Sequence, residues 1–391
     1  MRVFVFSIVF FSCGCLNEPN AVGIDLLPTS DYPLVKSDTV YANSDSLAYA
    51  FITSEVDSRM FVGNYQSYTA WSFVEFGFTG FDSYKSLPIL AVKLRMKANY
   101  SFGGSASPLG VQLFATTQNW HSDSLMVDSL LSNPTAYYRN PVIGSTSAIA
   151  SDTSWFEVPI SDTAIVRRSI IQEANGLGDG VLLQPLSING IKGFVSGNVQ
   201  SVDERPKIAV TFDSMGVQVT REVSATKSRS LTHISSANLV QNSNLLYLQN
   251  GVAYRQYLGF DLSGIPIGSS ISKANLEITL DSAASARNSY GSDSLVSYYL
   301  SNDNLPASTS LKVSTKKTSS GKHVYNVEVA RYVQNWLIPI VTQRRLLLLG
   351  FSERTTLDRF AFYGKSWPDK TLRPRIIITY TPPPQHRSAT P

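Results

Sequence analysis

The residues that could do chemistry in this 391-residue chain are few. Its four histidines are His121, His233, His323 and His386, and none stands at metal-ligand spacing to another. The two cysteines, Cys13 and Cys15, both lie close to the start, so no thiolate is available farther on. No Gly-x-Ser-x-Gly elbow, His-Glu-x-x-His pair or P-loop is present. The Gly-rich stretch Gly176-Leu177-Gly178-Asp179-Gly180 follows a predicted helix and does not open one, so it reads as a loop and not as a phosphate cradle. Glu55, Asp57, Glu75, Asp261 and Glu277 are the carboxylates that a glycosidase could pair as acid and base. A polysaccharide lyase would use a Tyr or His base beside an Arg or Lys. Tyr254-Arg255-Gln256-Tyr257 and His323-Val324-Tyr325 carry those types. Both patterns equally fit strands with polar residues facing solvent, and the chain is read as non-catalytic. Asp38, Asp45, Asp281 and Asp293 lie in loop-like contexts that leave structural calcium open, without EF-hand spacing. No other cofactor is expected.

Sugar recognition needs flat aromatic surface with polar groups at fixed angles. Trp71, Trp120, Tyr254, Tyr298 and Tyr299 belong to a large aromatic supply, most of it expected in the core, and Trp336 reads as a core plug. Two Pro-bearing loops place aromatics beside cations: Tyr137-Tyr138-Arg139-Asn140-Pro141 and Gly364-Lys365-Ser366-Trp367-Pro368-Asp369-Lys370. Tyr137, Tyr138, Arg139, Lys365, Trp367 and Lys370 are therefore the candidate ligand-binding residues. Their cations would favour an anionic polysaccharide.

The elements that must hold these residues are strands. Charged residues make up 16% of the chain, against about 25% in ordinary globular proteins, and 43% is hydrophobic. That excludes a disordered chain. The formal net charge of +4 has no clustered basic patch behind it, so no nucleic-acid partner is expected. Runs of period-two alternation rich in Val, Ile, Phe, Tyr and Thr alternate with Ser, Asn, Asp, Gly and Pro clusters.

These runs repeat. Phe61-Val62-Gly63-Asn64 and Phe73-Val74-Glu75-Phe76-Gly77-Phe78 match Tyr247-Leu248-Gln249-Asn250 and Tyr257-Leu258-Gly259-Phe260-Asp261-Leu262. Val92-Lys93-Leu94-Arg95-Met96 matches Ala274-Asn275-Leu276-Glu277-Ile278. Each copy closes alike, on Arg205-Pro206-Lys207-Ile208 and Arg373-Pro374-Arg375-Ile376. One helix is expected per copy: Thr163 to Ala174, capped by Ser161-Asp162 and stopped at Gly176, and Val327 to Leu337 with Val329, Val333, Trp336 and Leu337 on one face. The expected fold is all-β, two tandem jelly-roll β-sandwiches over 37–213 and 214–382, each with one short helix.

The first fifteen residues carry Arg2, the apolar stretch Val3 to Phe11, and then Ser12-Cys13-Gly14-Cys15. The stretch is too short to span a bilayer and fits a signal peptide over 1–15. A small residue directly before a Cys matches a bacterial lipobox, so Cys13 or Cys15 is the expected lipid acceptor and membrane anchor. Residues 16–36 read as a tether, and 383–391 as a Pro-rich tail.

The second copy resembles the DNRLRE (disaggregatase-related repeat) family. The resemblance rests on Tyr257 to Leu262, the Ser263-Gly264-Ile265-Pro266 turn, Ile271 to Leu276, the Val329 to Leu337 helix and Arg373 to Ile377. The first copy is similar but divergent. Trp120 matches the family's mid-domain Trp, its helix lacks the Trp, and Val195-Ser196-Gly197 and Gly364-Lys365-Ser366 replace the family's Ser-basic-Glu segment. The family's members are jelly-roll modules and include carbohydrate-binding modules. Val22-Gly23-Ile24-Asp25-Leu26-Leu27-Pro28 also resembles surface lipoproteins of Bacteroidetes-type bacteria. The resemblance implies an outer-membrane lipoprotein, facing periplasm or surface, that holds polysaccharide. The other readings are an assembly protein that binds an envelope protein partner at a sheet edge, and a lyase or hydrolase.

Overall fold

The computed structural model describes residues 34–383, apart from 50–57, 66–67, 104–107, 122–124, 126, 152, 187–188, 235–241, 252–253, 288–292 and 318–320. The expected signal segment with Cys13 and Cys15, tether residues 16–33, and the tail from 384 onward lie outside the described residues.

The chain is all-β. It begins with β1 (Lys36–Tyr49), β2 (Arg59–Tyr65), β3 (Tyr68–Phe76), β4 (Ile89–Gly103), β5 (Leu109–Thr116), α1 (Val127–Ser132), β6 (Tyr138–Ala148) and β7 (Trp155–Pro159). There follow α2 (Thr163–Ile170), β8 (Val181–Pro185), β9 (Asn189–Val195), β10 (Lys207–Ser214) and β11 (Val217–Ile234). Then come β12 (Leu245–Gln249), β13 (Tyr254–Phe260), β14 (Ser270–Thr279), β15 (Leu295–Leu300), β16 (Pro306–Lys317) and β17 (His323–Glu328). The chain finishes with α3 (Ala330–Trp336), β18 (Arg345–Gly350), β19 (Arg359–Tyr363) and β20 (Arg375–Thr381).

Two ten-stranded sheets result. One runs β1-β20-β14-β17-β16-β15-β18-β13-β12-β19, and β1 also pairs with β13, so eight of its strands close on themselves. The other runs β11-β10-β4-β9-β2-β3-β8-β5-β6, with β7 on β4 and a closing β11–β3 pairing. The internal repeat is visible strand by strand. The β10-β4-β7 run answers to β20-β14-β17, and β3-β8-β5-β6 answers to β13-β18-β15-β16. The Ala98↔Phe194 pairing of the first copy recurs as the Leu280↔Phe362 bridge of the second.

The strands at the copy boundary are exchanged. Lys36–Tyr41 of β1 pair with β20 and Ala42–Tyr49 with β13, so the first strand of the chain completes the second unit. Val217–Ser224 of β11 pair with β10, and Ala225–Ile234 with β3, so β11 completes the first unit. The expected boundaries at 37, 213 and 214 therefore cut across the pairings in both directions. The cause is local. Ser214 pairs with Val217 around Met215-Gly216, with φ of 55° and 82°, which is a two-residue turn of the kind that matches strand twist. β11 folds straight back on its neighbour in sequence, the cheapest loop to close.

Strand alternation builds two cores. Leu94, Met96, Leu113, Phe156, Leu183, Phe194, Ile208 and Val210 are buried together in the first unit. Leu258, Leu276, Ile278, Leu348, Phe360, Ile376 and Ile378 are buried in the second, each such side chain contributing about 1.5–3 kcal/mol. A third cluster joins the units: Phe61, Tyr68, Tyr100 and Phe102 pack with Tyr254 and Leu357. There the Tyr68 hydroxyl donates to Gln249 Oε1 at 2.8 Å, and Tyr100 Oη accepts the Leu357 N–H at 3.0 Å.

The expected helices are shorter than their periodicity suggests. Asp162 caps α2 by accepting from Ala164 and Ile165, but the helix ends at Ile170, because Gln172 and Asn175 adopt φ of 61° and 62°. α3 starts at Ala330 and not Val327, because Val327 pairs with Leu276 in the sheet. Among its described residues the first unit has two α-helices where one was expected; α1 lies in the connection between β5 and β6.

Candidate functional site

One row of side chains on the outer sheet face exists in both units and differs in its fate. In the second unit Tyr257 of β13 faces Leu347 of β18, which faces Tyr298 of β15, with Ser46 of β1 beside Tyr257. In the first unit Phe73 faces Leu182, which faces Phe114, with Arg229 of β11 beside Phe73. Their in-strand neighbours Leu258, Leu346, Leu348, Val74 and Leu183 fill the cores, so alternation points these rows outward.

In the first unit the described residues between 117 and 137 fold over the row. The Trp120 indole lies on Phe73 with centroids 5.4 Å apart and planes at 15°. Leu125, Val127 and Leu130 are buried with it against Trp71, Phe114 and Leu182. The cover is clasped from beneath. The Trp120 Nε1–H and the Thr116 hydroxyl both donate to the Asp179 carbonyl at 2.6 Å. The Gly-rich loop that supplies this carbonyl closes through Gly180 (φ +112°), where a Cβ would come within 2.7 Å of the Val74 carbonyl. Arg229 is fully buried beneath the cover and donates to the Trp120 carbonyl at 3.0 Å; burial lowers its pKa.

Three expected ligand-binding residues belong to this cover. Tyr137 and Tyr138 pack half-buried on the same cluster, the Tyr138 ring 4.8 Å from Phe114. Arg139 donates to Asn175 Oδ1 and the Thr116 carbonyl at 2.6 Å, and to the Gly176 carbonyl at 3.2 Å. These contacts tie the cover to the Gly-rich loop.

In the second unit the equivalent connection is only residues 301–305; Leu347 at the middle of the row is still buried, while Tyr257 and Tyr298 at its ends are half-buried. A groove of about 680 Å³ lies at the Tyr298 end of the row, lined by Arg255, Tyr298, Leu347, Leu349, Phe351 and Glu353, among others. Arg255 and Glu353 form a two-pronged pair, both bonds 2.8 Å, which raises the Arg255 pKa. A second depression of about 490 Å³ is lined by Ser44, Gly259, Asp261, Arg344 and Arg345, among others. The Arg345 guanidinium lies 4.8 Å from the Tyr257 ring centroid and donates to Ser46 Oγ at 2.7 Å. The arrangement offers aromatic and aliphatic surface beside fixed charged hydrogen-bonding groups.

Lys365, Trp367 and Lys370 lie elsewhere in the second unit, on the loop after β19. Trp367 packs on Tyr363 at 4.6 Å, and its carbonyl accepts from Arg373 Nε at 2.6 Å. The Lys365 N–H donates to Asp45 Oδ2 at 3.2 Å, and its Nζ lies 3.8 Å from Asp45 Oδ1. Lys370 is exposed in the turn capped by Asp369. The two expected loops are thus in different units.

Tyr257, Leu347 and Tyr298 lie within strands, where alternation alone does not mark a binding row. One signal was present: the second copy carries Tyr257 and Tyr298 where the first carries Phe73 and Phe114, and the added hydroxyls fit a wet face.

The acid–base candidates are dispersed. Glu277 pairs with Arg375 at 2.9 Å, and Glu75 lies 4.0 Å from His121. Glu55, Asp57 and His386 lie outside the described residues. Tyr254 is buried between the units. Tyr325 is fully buried, its hydroxyl bonded to Asp293, and burial first, then Asp293, push its pKa up, which keeps it a proton donor. Asp281 accepts from the Ala283 and Ala284 N–H groups. Among the described residues no three His, Cys, Asp or Glu side chains gather as a metal site.

No protein-family model and no curated protein matches the chain. Among solved structures, the crystal structure of the infectious bursal disease virus VP2 subviral particle is similar at 9% identity and a TM-score of 0.14, over 90% of this chain and 77% of that one.

Proposed function

We propose that this chain is a non-catalytic cell-envelope lipoprotein that binds polysaccharide on the open outer face of its second unit. In this reading Cys13 or Cys15 carries the lipid that holds it to the outer membrane. The two units are tandem jelly-roll modules akin to the DNRLRE repeat.

One observation carries the reading: Trp120 covers the row in the first unit, whereas in the second unit no such ring lies on it and its Tyr298 end lines a groove. Selection for stability alone would favour the same cover on both. Tyr298, half-buried on the groove wall, offers the apolar face of a sugar ring a place to stack. The Arg255–Glu353 pair presents fixed polar groups to its hydroxyls.

Affinity electrophoresis of the full chain through gels containing neutral and acidic polysaccharides tests it. Tyr298→Ala is expected to weaken binding roughly tenfold, the size of one lost stacking contact. Tyr138→Ala, in the cover of the first unit, is expected to leave binding unchanged. Retardation by no glycan would refute the reading and point to an envelope protein as partner.

A further inference from the structure

We infer that the end of the second unit farthest from the first rests on a lipid bilayer, its exposed apolar side chains entering the boundary between headgroups and acyl chains, a step that rests on the lipoprotein reading above.

The two ends of the second unit differ. At one end Tyr254, which opens β13, packs with Leu357 against the first unit. β1 spans the distance to the other end: its Tyr49 stands opposite Tyr254, and its Lys36 stands opposite Tyr380. That far end is a rim of short connections tied to one another. Ser270 pairs with Thr381 beside the start of β1. The Gln334 side chain accepts from the Ile271 N–H at 2.9 Å and donates to the Ser269 carbonyl at 3.2 Å, which ties the end of α3 to the turn that carries Ile267. The Asn302 side chain donates to the Ile340 carbonyl at 2.9 Å, which ties in the connection 301–305.

Leu34, Val35, Ile267, Leu305, Ile338 and Ile340 stand exposed on this rim. They are six of the nine large apolar side chains that the described part of the second unit exposes, so its apolar surface is gathered and not scattered, which marks an interaction face. Chain order names the occupant. The residues that follow Cys13 and Cys15 lead into the fold at this rim, so a lipid on either cysteine brings the rim to the bilayer before any other part of the fold. Charge sets the mode of contact. Lys36, Lys273 and Arg344 stand here among Asp38, Asp261 and Asp303, a mixture without a net pull on anionic headgroups. Apolar contact is what remains to hold the rim. The first unit then points away from the bilayer, with β1 upright between them.

Site-directed fluorescence on the full chain tests the inference. Cys13 and Cys15 are replaced by serine, and one new cysteine, Ile340→Cys or Met215→Cys as control, carries a polarity-sensitive nitrobenzoxadiazole label. Ile340 is 78% exposed and Met215, at the turn between β10 and β11, wholly so, and neither label disturbs a core. On addition of phosphatidylethanolamine–phosphatidylglycerol vesicles, the Ile340→Cys label is expected to brighten about threefold and to be quenched by doxyl-labelled lipid, as entry into the boundary layer requires. The Met215→Cys label is expected to stay unchanged. Ile267→Asp with Leu305→Asp is expected to cut the brightening at least about twofold, and about 0.5 M salt to leave it standing. Thermal unfolding checks that each variant keeps the fold. No brightening at Ile340→Cys, or equal brightening at both sites, overturns the inference. Brightening without vesicles that grows with protein concentration also overturns it and makes the rim a contact between copies of the chain. The anchor is read separately, from the mass of the N-terminal peptide of the wild-type chain taken from bacterial membranes. Unmodified Cys13 and Cys15 overturn the lipoprotein reading, and the labels still decide the rim.

Discussion

Trp120 lies almost parallel to Phe73, and its indole N–H is spent on the Asp179 carbonyl. One side chain thereby closes the outer face of the first unit and pins the Gly-rich loop beneath it.

Trp120→Ala should consequently be among the most damaging single substitutions in the first unit, by about 3–5 kcal/mol. Urea unfolding read by tryptophan fluorescence measures it. A loss below about 1 kcal/mol would show that the cover is ornamental to the fold.

The exchange of β1 and β11 makes a prediction about folding units. Residues 245–381 alone lack the strand that pairs with both β20 and β13, and should not fold cooperatively. Lys36 stands opposite Tyr380, so Thr381, one Gly and then residues 36–49 would form a two-residue turn like Met215-Gly216. The chain 245–381–Gly–36–49 is expected to fold as a monomer. Circular dichroism and amide exchange on both fragments decide it; cooperative unfolding of 245–381 alone would contradict the exchange.

Alkaline pH should weaken the protein. Burial, before any other cause, raises the pKa of Tyr68, Tyr100 and Tyr325 above the ordinary 10.0. A raised folded pKa means the stabilisation is complete below the unfolded value and is lost as pH climbs past it. The urea midpoint should therefore hold to about pH 9.5 and fall beyond it, in step with phenolate absorbance at 295 nm. A midpoint unchanged from pH 9 to 11 would rule this out.

The repeat is legible in the sequence because its landmarks face the cores. Leu94 and Leu276 occupy the same place in the two units, as do Ile208 and Ile376, and each is fully buried. Core positions constrain residue type directly, so they mark themselves in the text. The open face is harder to read. Whether Tyr257 is bare depends on whether the connection after β15 folds back over it, and Trp120, Leu125, Val127 and Leu130 are too irregularly spaced to announce a lid. The strand exchange is hidden for another reason. Alternation shows that Lys36–Tyr49 and Val217–Ile234 are strands but not whose edge they join. The nearest hint was the short Ser214-Met215-Gly216-Val217 turn, where the domain boundary was expected.

The placement of β1 also has a mechanical side. Its first half is bonded to β20 and its second half, through Ser46 beside Tyr257 and on to Tyr49, to β13. A pull on Lys36 against the rest of the second unit runs along the axis of β1. It loads the hydrogen bonds to both neighbours together, in shear. β1 thus acts as a tendon between the residues before it and the sheet it completes, and it yields only when both ladders give way at once.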